Sequence, residues 1–488
     1  MKRLSGMDAA MLYIETPAMH MHVVGTVVLD PSTMPGGYSF DRFREMVRER
    51  LHLLPPFRRR LVPVPLGLGH PYWVEDPAFD LDAHMIRVAV PSPGGMRELA
   101  GLVGNIASRP LDRDRPLWEM WVVEGLEHGR IAIVAKLHHS SIDGVSGADL
   151  MVHLFDLTPD AHPEPATAEW RPERVPSQVE LVPAALESLV TRPIGLAATT
   201  WKTATGLVRH QLHRRSQPDS ATGGRRQGPA TPFNGAITPH RSVAYGRVSL
   251  ADVKATKDAT GTKVNDVVLA ACAMSLREWL REHDALPDRP LVAACPMAVP
   301  QDPSEERVTN AMTIITALLP VQVDDPLEQL RLVHEDTTRS KRSSQAFGVD
   351  VLQAWAQYTS PNLVSAAMRV YSNFGLADRH GPLANLIVSN VPGPPLPLYC
   401  AGARVDAVYP MGPLIEGIGL NLTVLSNMGN VDFGVIACRE LVPDVWDLAT
   451  GFERAVTRLR DAAGVTPAKP PTKKATAGAT RAPARAAR

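Results

Sequence analysis

His138-His139-Ser140-Ser141-Ile142-Asp143-Gly144 is the stretch of this chain best suited to chemistry. Two adjacent histidines and three spacers lead into an Asp-Gly pair. Histidine titrates near neutral pH, so an imidazole can take a proton from an alcohol and return it to a leaving group. Such a base needs a fixed tautomer and ring orientation, which a carboxylate or a backbone carbonyl can enforce. Asp143 stands close enough in sequence to shape the turn, or alternatively to pair with an arginine. Gly144 permits a backbone conformation that a side chain disfavours. Two weaker readings compete. One is an inert pair of core or surface histidines beside a turn. The other is a metal site, which adjacent histidines on a strand serve poorly because their side chains point to opposite faces.

The elements that must position this motif are legible on either side of it. Ile131 to Leu137 is an apolar run that reads as a strand, and Ala148, Leu150, Met151, Leu154 and Phe155 follow at helix-compatible spacing. The motif is therefore expected at a strand end, a tight turn and a helix start. Upstream, His22–Leu29 and Trp118–Val123 read as strands. Phe40 to Leu51, after the potential cap Ser39, and Met96 to Ile106 carry helical periodicity. From Thr158 the composition changes. Pro159, Pro163, Pro165, Pro172 and Pro176 disfavour a compact helix, and Ser216–Pro232 is expected to be mobile. Between these, Leu181–Arg215 is mostly apolar with a basic end, and reads either as a linker helix packed between domains or as an interfacial helix on lipid. The second portion, from about Arg241, offers helices at Val264–His283, Leu327–Arg342 and Asp444–Ala462. Its strands are expected at Leu291–Ala298, Met312–Leu319, Leu386–Val391, Leu420–Leu425 and Val431–Ala437. The expected organisation is an N-terminal unit over 1–158, a linker over 159–240, a C-terminal unit over 241–465 and a disordered basic tail over 466–488.

Composition narrows the function classes. The chain has 488 residues, which favours two domains. Its formal net charge is zero, which argues against a nucleic-acid partner; without the six basic residues beyond Val465 the remainder is −6, from 45 basic and 51 acidic residues. Cys272, Cys295, Cys400 and Cys438 are scattered and read as buried thiols in a reducing compartment. Asp8 and Glu15 interrupt any signal-peptide-like apolar core, and no run of 18 apolar residues appears. A cytosolic protein with peripheral lipid contact is expected.

Several short motifs, in this order, resemble the bacterial wax ester synthase/acyl-CoA:diacylglycerol acyltransferase family. They are Leu4-Ser5-Gly6-Met7-Asp8 with Met21-His22-Val23, Pro116-Leu117-Trp118, the His138–Gly144 motif, Thr231-Pro232-Phe233-Asn234-Gly235, Asn265-Asp266 and Ser389-Asn390-Val391-Pro392-Gly393-Pro394. The resemblance spans Leu4 to about Leu459, apart from the linker. It implies an α/β (α+β sandwich) fold of two chloramphenicol-acetyltransferase-like domains, with an active-site tunnel at their interface. It also implies acyl-CoA as co-substrate, no cofactor and no metal, and a lipid alcohol such as diacylglycerol as acceptor. Under it His139 is the general base, His138 supports it, Asp143 and Gly144 hold the loop, and Asn265 helps from the other domain. Asp266 is expected to be structural, and Trp118 to fill a core. Pro392, Gly393, Tyr399 and Gly402 are candidate substrate-binding residues. One departure is Ala437-Cys438-Arg439-Glu440, where many relatives carry an Asp before the final Val-Pro-Asp.

The expected reaction is transfer of an acyl group to diacylglycerol, giving triacylglycerol, with a long-chain alcohol giving wax ester as the alternative acceptor. A peptide-synthetase condensation domain shares HHxxxDG, but this chain has no DFGWG loop. A non-catalytic lipid-surface protein on a retired acyltransferase fold is the non-enzyme reading; intact His139, Asp143 and Gly144 argue against it.

Overall fold

The computed structural model describes residues 1–141, 147–161, 170, 172–216, 227–298, 312–344, 357–358 and 360–467. Asp143, Gly144, most of the stretch expected to be mobile and the basic tail lie outside the described residues. The strands are β1 (Lys2–Arg3), β2 (His22–Asp30), β3 (Arg59–Val62), β4 (Tyr72–Glu75), β5 (Met85–Ala89), β6 (Trp118–Glu124), β7 (Ile131–His138), β8 (Arg241–Ser249), β9 (Leu291–Ala298), β10 (Met312–Leu319), β11 (Leu386–Val391), β12 (Tyr399–Cys400), β13 (Ala403–Met411), β14 (Leu420–Asn427) and β15 (Asn430–Cys438). The helices that matter below are α1 (Gly6–Tyr13), α2 (Phe40–Arg50), α3 (Met96–Ala107), α4 (Gly147–Leu154), α5 (Val182–Ser216), α6 (Leu250–Thr260), α7 (Val264–Glu282), α8 (Pro326–Ser344), α9 (Pro361–Asn373) and α10 (Val445–Ala462).

Two six-stranded mixed sheets form the frame, in the orders β12-β13-β2-β7-β6-β5 and β10-β9-β11-β14-β15-β8. The central strands β2 and β7 are rich in Val and Ile and buried on both faces, the pattern of a strand covered on either side. Their antiparallel register sets His22 directly opposite His138. One face of this sheet packs on α2, where Phe43, Met46 and Val47 meet Ile131, Ile133 and Leu137. The other face packs on α3 and on the second sheet in one cluster. Leu99 and Val103 of α3, Val24 and Val134 of the first sheet, and Tyr245 and Ile436 of the second are all buried there. Gly104 makes the close approach feasible, because a Cβ at that position would stand 2.7 Å from the carbonyl oxygen of Arg241.

The segment Tyr399–Met411 was expected within the C-terminal unit, but it hydrogen-bonds into the first sheet, with β13 antiparallel to β2 along the strand. The physical reason is that β2 has only β7 on its other side, and without β13 it would present a row of open backbone groups. The two halves are therefore interleaved through a strand as well as through a core.

Asp432 ties the interleaved strand down. It lies on β15, fully buried, and its carboxylate accepts from the backbone N–H of Val408 on β13 (2.9 Å), from Asn427 Nδ2 (2.9 Å) and from Arg247 Nε (2.5 Å). A buried anion with this many donors is compensated only while all of them stay. Asp432→Ala is expected to lower unfolding stability by about 3–5 kcal/mol in urea titrations, with Asp432→Asn losing less because it retains an acceptor.

Candidate active site

β7 ends at His138, and a single turn of 3-10 helix, His139–Ser141, carries the chain off the sheet. The expected strand end and turn are present, and α4 begins at Gly147. The His138 N–H donates to the carbonyl of Leu117 (3.0 Å) and the His139 N–H to that of Met21 (2.8 Å), so the ladder continues one residue into the turn. α1 packs directly on the turn.

His138 is hydrogen-bonded at Nδ1 and faces a carboxylate at Nε2. Nδ1 accepts from the backbone N–H of Ser140 (3.0 Å) and lies 2.6 Å from Ser140 Oγ. That assigns the ring proton to Nε2, which lies 3.1 Å from Glu15 Oε1. Ser141 Oγ donates back to the His138 carbonyl at 2.7 Å. His138 therefore shapes the turn.

Glu15 was met in the sequence only as a charge interrupting an apolar run, yet it organises the site. Its carboxylate also faces Arg113, with which it forms a close ion pair, and His22, whose Nε2 is 4.0 Å away. Burial alone would raise the Glu15 pKa. The His138 contact and the Arg113 guanidinium reverse this and hold it well below the ordinary carboxylate value. Arg113 is anchored in turn by the carbonyl of Leu12 at 3.0 Å. His20 stacks on His22 (ring centroids 5.3 Å apart), and His22 meets His138 edge-on at 5.9 Å. Burial keeps both His20 and His22 below the usual histidine pKa, with the Arg241 charge adding to this at His20 and the His138 ring at His22.

His139 is partly buried, and its pKa is lowered to about 4, first by burial and then by the neighbouring His138. It is therefore an unprotonated imidazole at neutral pH, the form a general base requires.

The other sequence-predicted residues separate into groups. Asn265 sits in the first turn of α7, and its Oδ1 is 3.5 Å from Asn390 Nδ2, so two motifs of the second half meet. Asp266 is buried and accepts from Thr337 Oγ1 at 2.9 Å, with His334 Nδ1 2.6 Å from its carboxylate, fastening α7 to α8 as a structural residue would. Trp118 is buried between Phe57 and His84 and donates to the Phe57 carbonyl at 2.9 Å, a core role. Pro392 and Gly393 follow β11. A Cβ on Gly393 would stand 2.0 Å from the Ser426 carbonyl oxygen, so only glycine fits there. Tyr399 exchanges backbone hydrogen bonds with Asp156, itself paired with Arg50, and Gly402 packs against Pro35 and Pro159. These last two contacts belong to the outer edge of the first sheet, away from the β2–β7 pair that carries the histidines.

Two outcomes follow from the site. Glu15→Gln removes the charge that orients the His138 Nε2–H, and is expected to lower kcat roughly 10- to 100-fold with little change in KM. The acid limb of kcat/KM is expected near pH 4, because His139 stays neutral until then. Stability behaves differently. The unfolded chain takes up its histidine protons below about pH 6.5 while buried His139, His20 and His22 resist them. The thermal midpoint should therefore fall steadily as pH drops from about 6.5 towards the folded pKa values. Differential scanning calorimetry across that range checks the sign.

Comparison with known proteins identifies the family. The wax ester synthase/diacylglycerol acyltransferase catalytic domain model matches residues 4–268, and the WS/DGAT C-terminal domain model matches residues 308–460. A Mycobacterium tuberculosis (strain H37Rv) protein named "putative diacylglycerol O-acyltransferase" is 42% identical over 94% of this chain and 90% of its own length. A second of that name, from strain CDC 1551, is 38% identical over 95% of this chain and 98% of its own. Among solved structures, the wax ester synthase/diacylglycerol acyltransferase from Marinobacter aquaeolei VT8 superposes with a TM-score of 0.67 at 28% identity, covering 95% of this chain and all of that one. The first condensation domain of the calcium-dependent antibiotic synthetase, at 15% identity and TM-score 0.55 over 95% of this chain and 96% of its own, shares the fold alone. With its histidine turn, its two sheets and both domain models in place, this chain belongs to the wax ester synthase/diacylglycerol acyltransferase family of acyltransferases.

Proposed function

We propose that this protein transfers the acyl group of an acyl-CoA to the hydroxyl of diacylglycerol, giving triacylglycerol and free CoA, with His139 as general base and no cofactor. The observation that carries the reading is a neutral, partly exposed His139 on a turn whose other histidine is held by Ser140 and faces Glu15. Unprotonated His139 accepts the proton of the acceptor hydroxyl as its oxygen attacks the thioester carbonyl carbon. The tetrahedral intermediate then collapses, the C–S bond breaks and the same imidazole returns the proton to the departing sulfur. The proton is conserved, so no external acid or base is needed. His138, Glu15 and Arg113 hold the turn, while Asn265 and the Ser389–Pro394 segment meet each other in the second half.

Diacylglycerol is preferred as acceptor because relatives at 42% and 38% identity carry that name; a long-chain alcohol giving a wax ester is the second reading, favoured by the dual name of the Marinobacter structure. We further propose a cytoplasmic enzyme in peripheral contact with a membrane or lipid droplet. No described helix is long and apolar enough to cross a membrane, and the four cysteines are buried free thiols, in keeping with a reducing compartment.

Purified protein with labelled palmitoyl-CoA, offered diacylglycerol and hexadecanol separately and together, tests the reading. Triacylglycerol should dominate, and His139→Ala should lower the rate by roughly 100- to 10,000-fold. Full turnover by folded His139→Ala would refute the catalytic assignment, and predominant wax ester would replace the acceptor.

A further inference from the structure

The segment between α1 and β2 carries two groups of the histidine cluster, Glu15 near its start and His22 where the strand begins. It contains Pro17 and no glycine. Thr16 and Met19 exchange backbone hydrogen bonds at 3.1 Å, and Thr16 Oγ1 accepts from the N–H groups of Ala18 and Met19 at 3.3 and 3.0 Å. The segment is therefore a stiff loop, and a shift at Ala18 moves both ends.

That loop is gripped from the other half of the chain. Arg241, the first residue of β8, is 3% exposed. Its Nη2 donates to the Ala18 carbonyl at 2.6 Å, and its Nη1 to the carbonyls of Thr238 and His240, the latter at 3.2 Å. Its backbone N–H donates to Ser108 Oγ at 2.9 Å, at the end of α3. One residue thus ties the second sheet to α3 and to the loop. Among the described residues no carboxylate pairs with this cation, and Glu416 and Glu440 act only as more distant charges. Burial pulls its pKa down to about 10, so it stays charged at neutral pH. A buried cation held by carbonyls costs desolvation that a methionine would not. What the guanidinium adds is its planar fork, which aims donors in set directions at carbonyls of both halves. A second grip lies beside it. Ser372 of α9 donates to buried Glu416, its Oγ stands 3.3 Å from Thr16 Oγ1, and the Glu416 N–H donates to Met19 Sδ, also at 3.3 Å.

We infer that Arg241 is a positioning residue for acyl transfer: through Ala18 its guanidinium sets where Glu15 and His22 face His138, so the second half of the chain governs the histidine turn of the first. Ser372 supports the same loop. The inference rests on the proposed function for the use made of that turn.

The test compares wild type with Arg241→Met, Arg241→Lys and Ser372→Ala as full chains. Two readouts are taken per folded molecule. One is kcat and KM with palmitoyl-CoA and diacylglycerol. The other is the proton resonance of the His138 ring N–H beside Glu15, identified by its loss in Glu15→Gln. Arg241→Met should lower kcat roughly 10- to 100-fold with KM within about twofold, and should shift that resonance. Arg241→Lys keeps the charge without the fork and should fall between, and Ser372→Ala should lower kcat about threefold. A merely structural Arg241 would lower the folded fraction and leave kcat per folded molecule and the resonance at wild-type values; that result would overturn the inference. If Arg241→Met does not fold, wild-type values in both Arg241→Lys and Ser372→Ala overturn it equally. A shifted resonance in a protein whose wild type makes no ester would support the positioning and remove the proposed function instead.

Discussion

A largely buried carboxylate beside two histidines persists only if its charge is matched, and that requirement at Glu15 shapes the site. Arg113 and the His138 Nε2–H supply the match. Because Glu15 takes the proton-bearing side of His138, the Nδ1 side is left to accept from Ser140. The turn is thereby held at His138, and the next residue, His139, projects from it. The acid–imidazole pair here orients the neighbour of the proposed base. His139 keeps its own neutrality through burial.

That frame depends on the two halves being interleaved. The face of the first sheet that carries His138 and His22 is the one packed on α3 and the second sheet. β13 crosses from the C-terminal half to close the open edge of β2, and Asp432 holds it there with donors from β8, β13 and β14. The strand that begins at His22 therefore has a neighbour from each half, and the geometry of the histidines is set by contacts more than two hundred residues away in the chain.

Much of the frame was legible in the sequence because its elements are long and periodic. The strands at Leu291–Ala298, Met312–Leu319 and Leu386–Val391 and the helix ending at Ala462 fall where apolar pattern places them. The histidine turn was legible because its residue types have few other uses at that spacing. Glu15 was not, since a lone acid after a short helix carries no local signal; only the packing of α1 on the histidine turn brings it to the site. The pairing of β13 with β2 was not legible for the same reason, because strand pairing is a long-range property that a local pattern cannot report. Tyr399 and Gly402 were singled out by motif, and the sheet edge uses them for turn and packing.

The central claim is that neutral His139 activates the acceptor for direct attack on the thioester. Rapid-quench single turnover with acyl-labelled CoA tests it most directly. With enzyme in excess and acceptor withheld, the account predicts that the label stays on CoA and no acylated protein forms; adding diacylglycerol should convert it to ester in one phase. Label accumulating on the protein before ester appears would contradict direct transfer and require a nucleophile that this site does not assign.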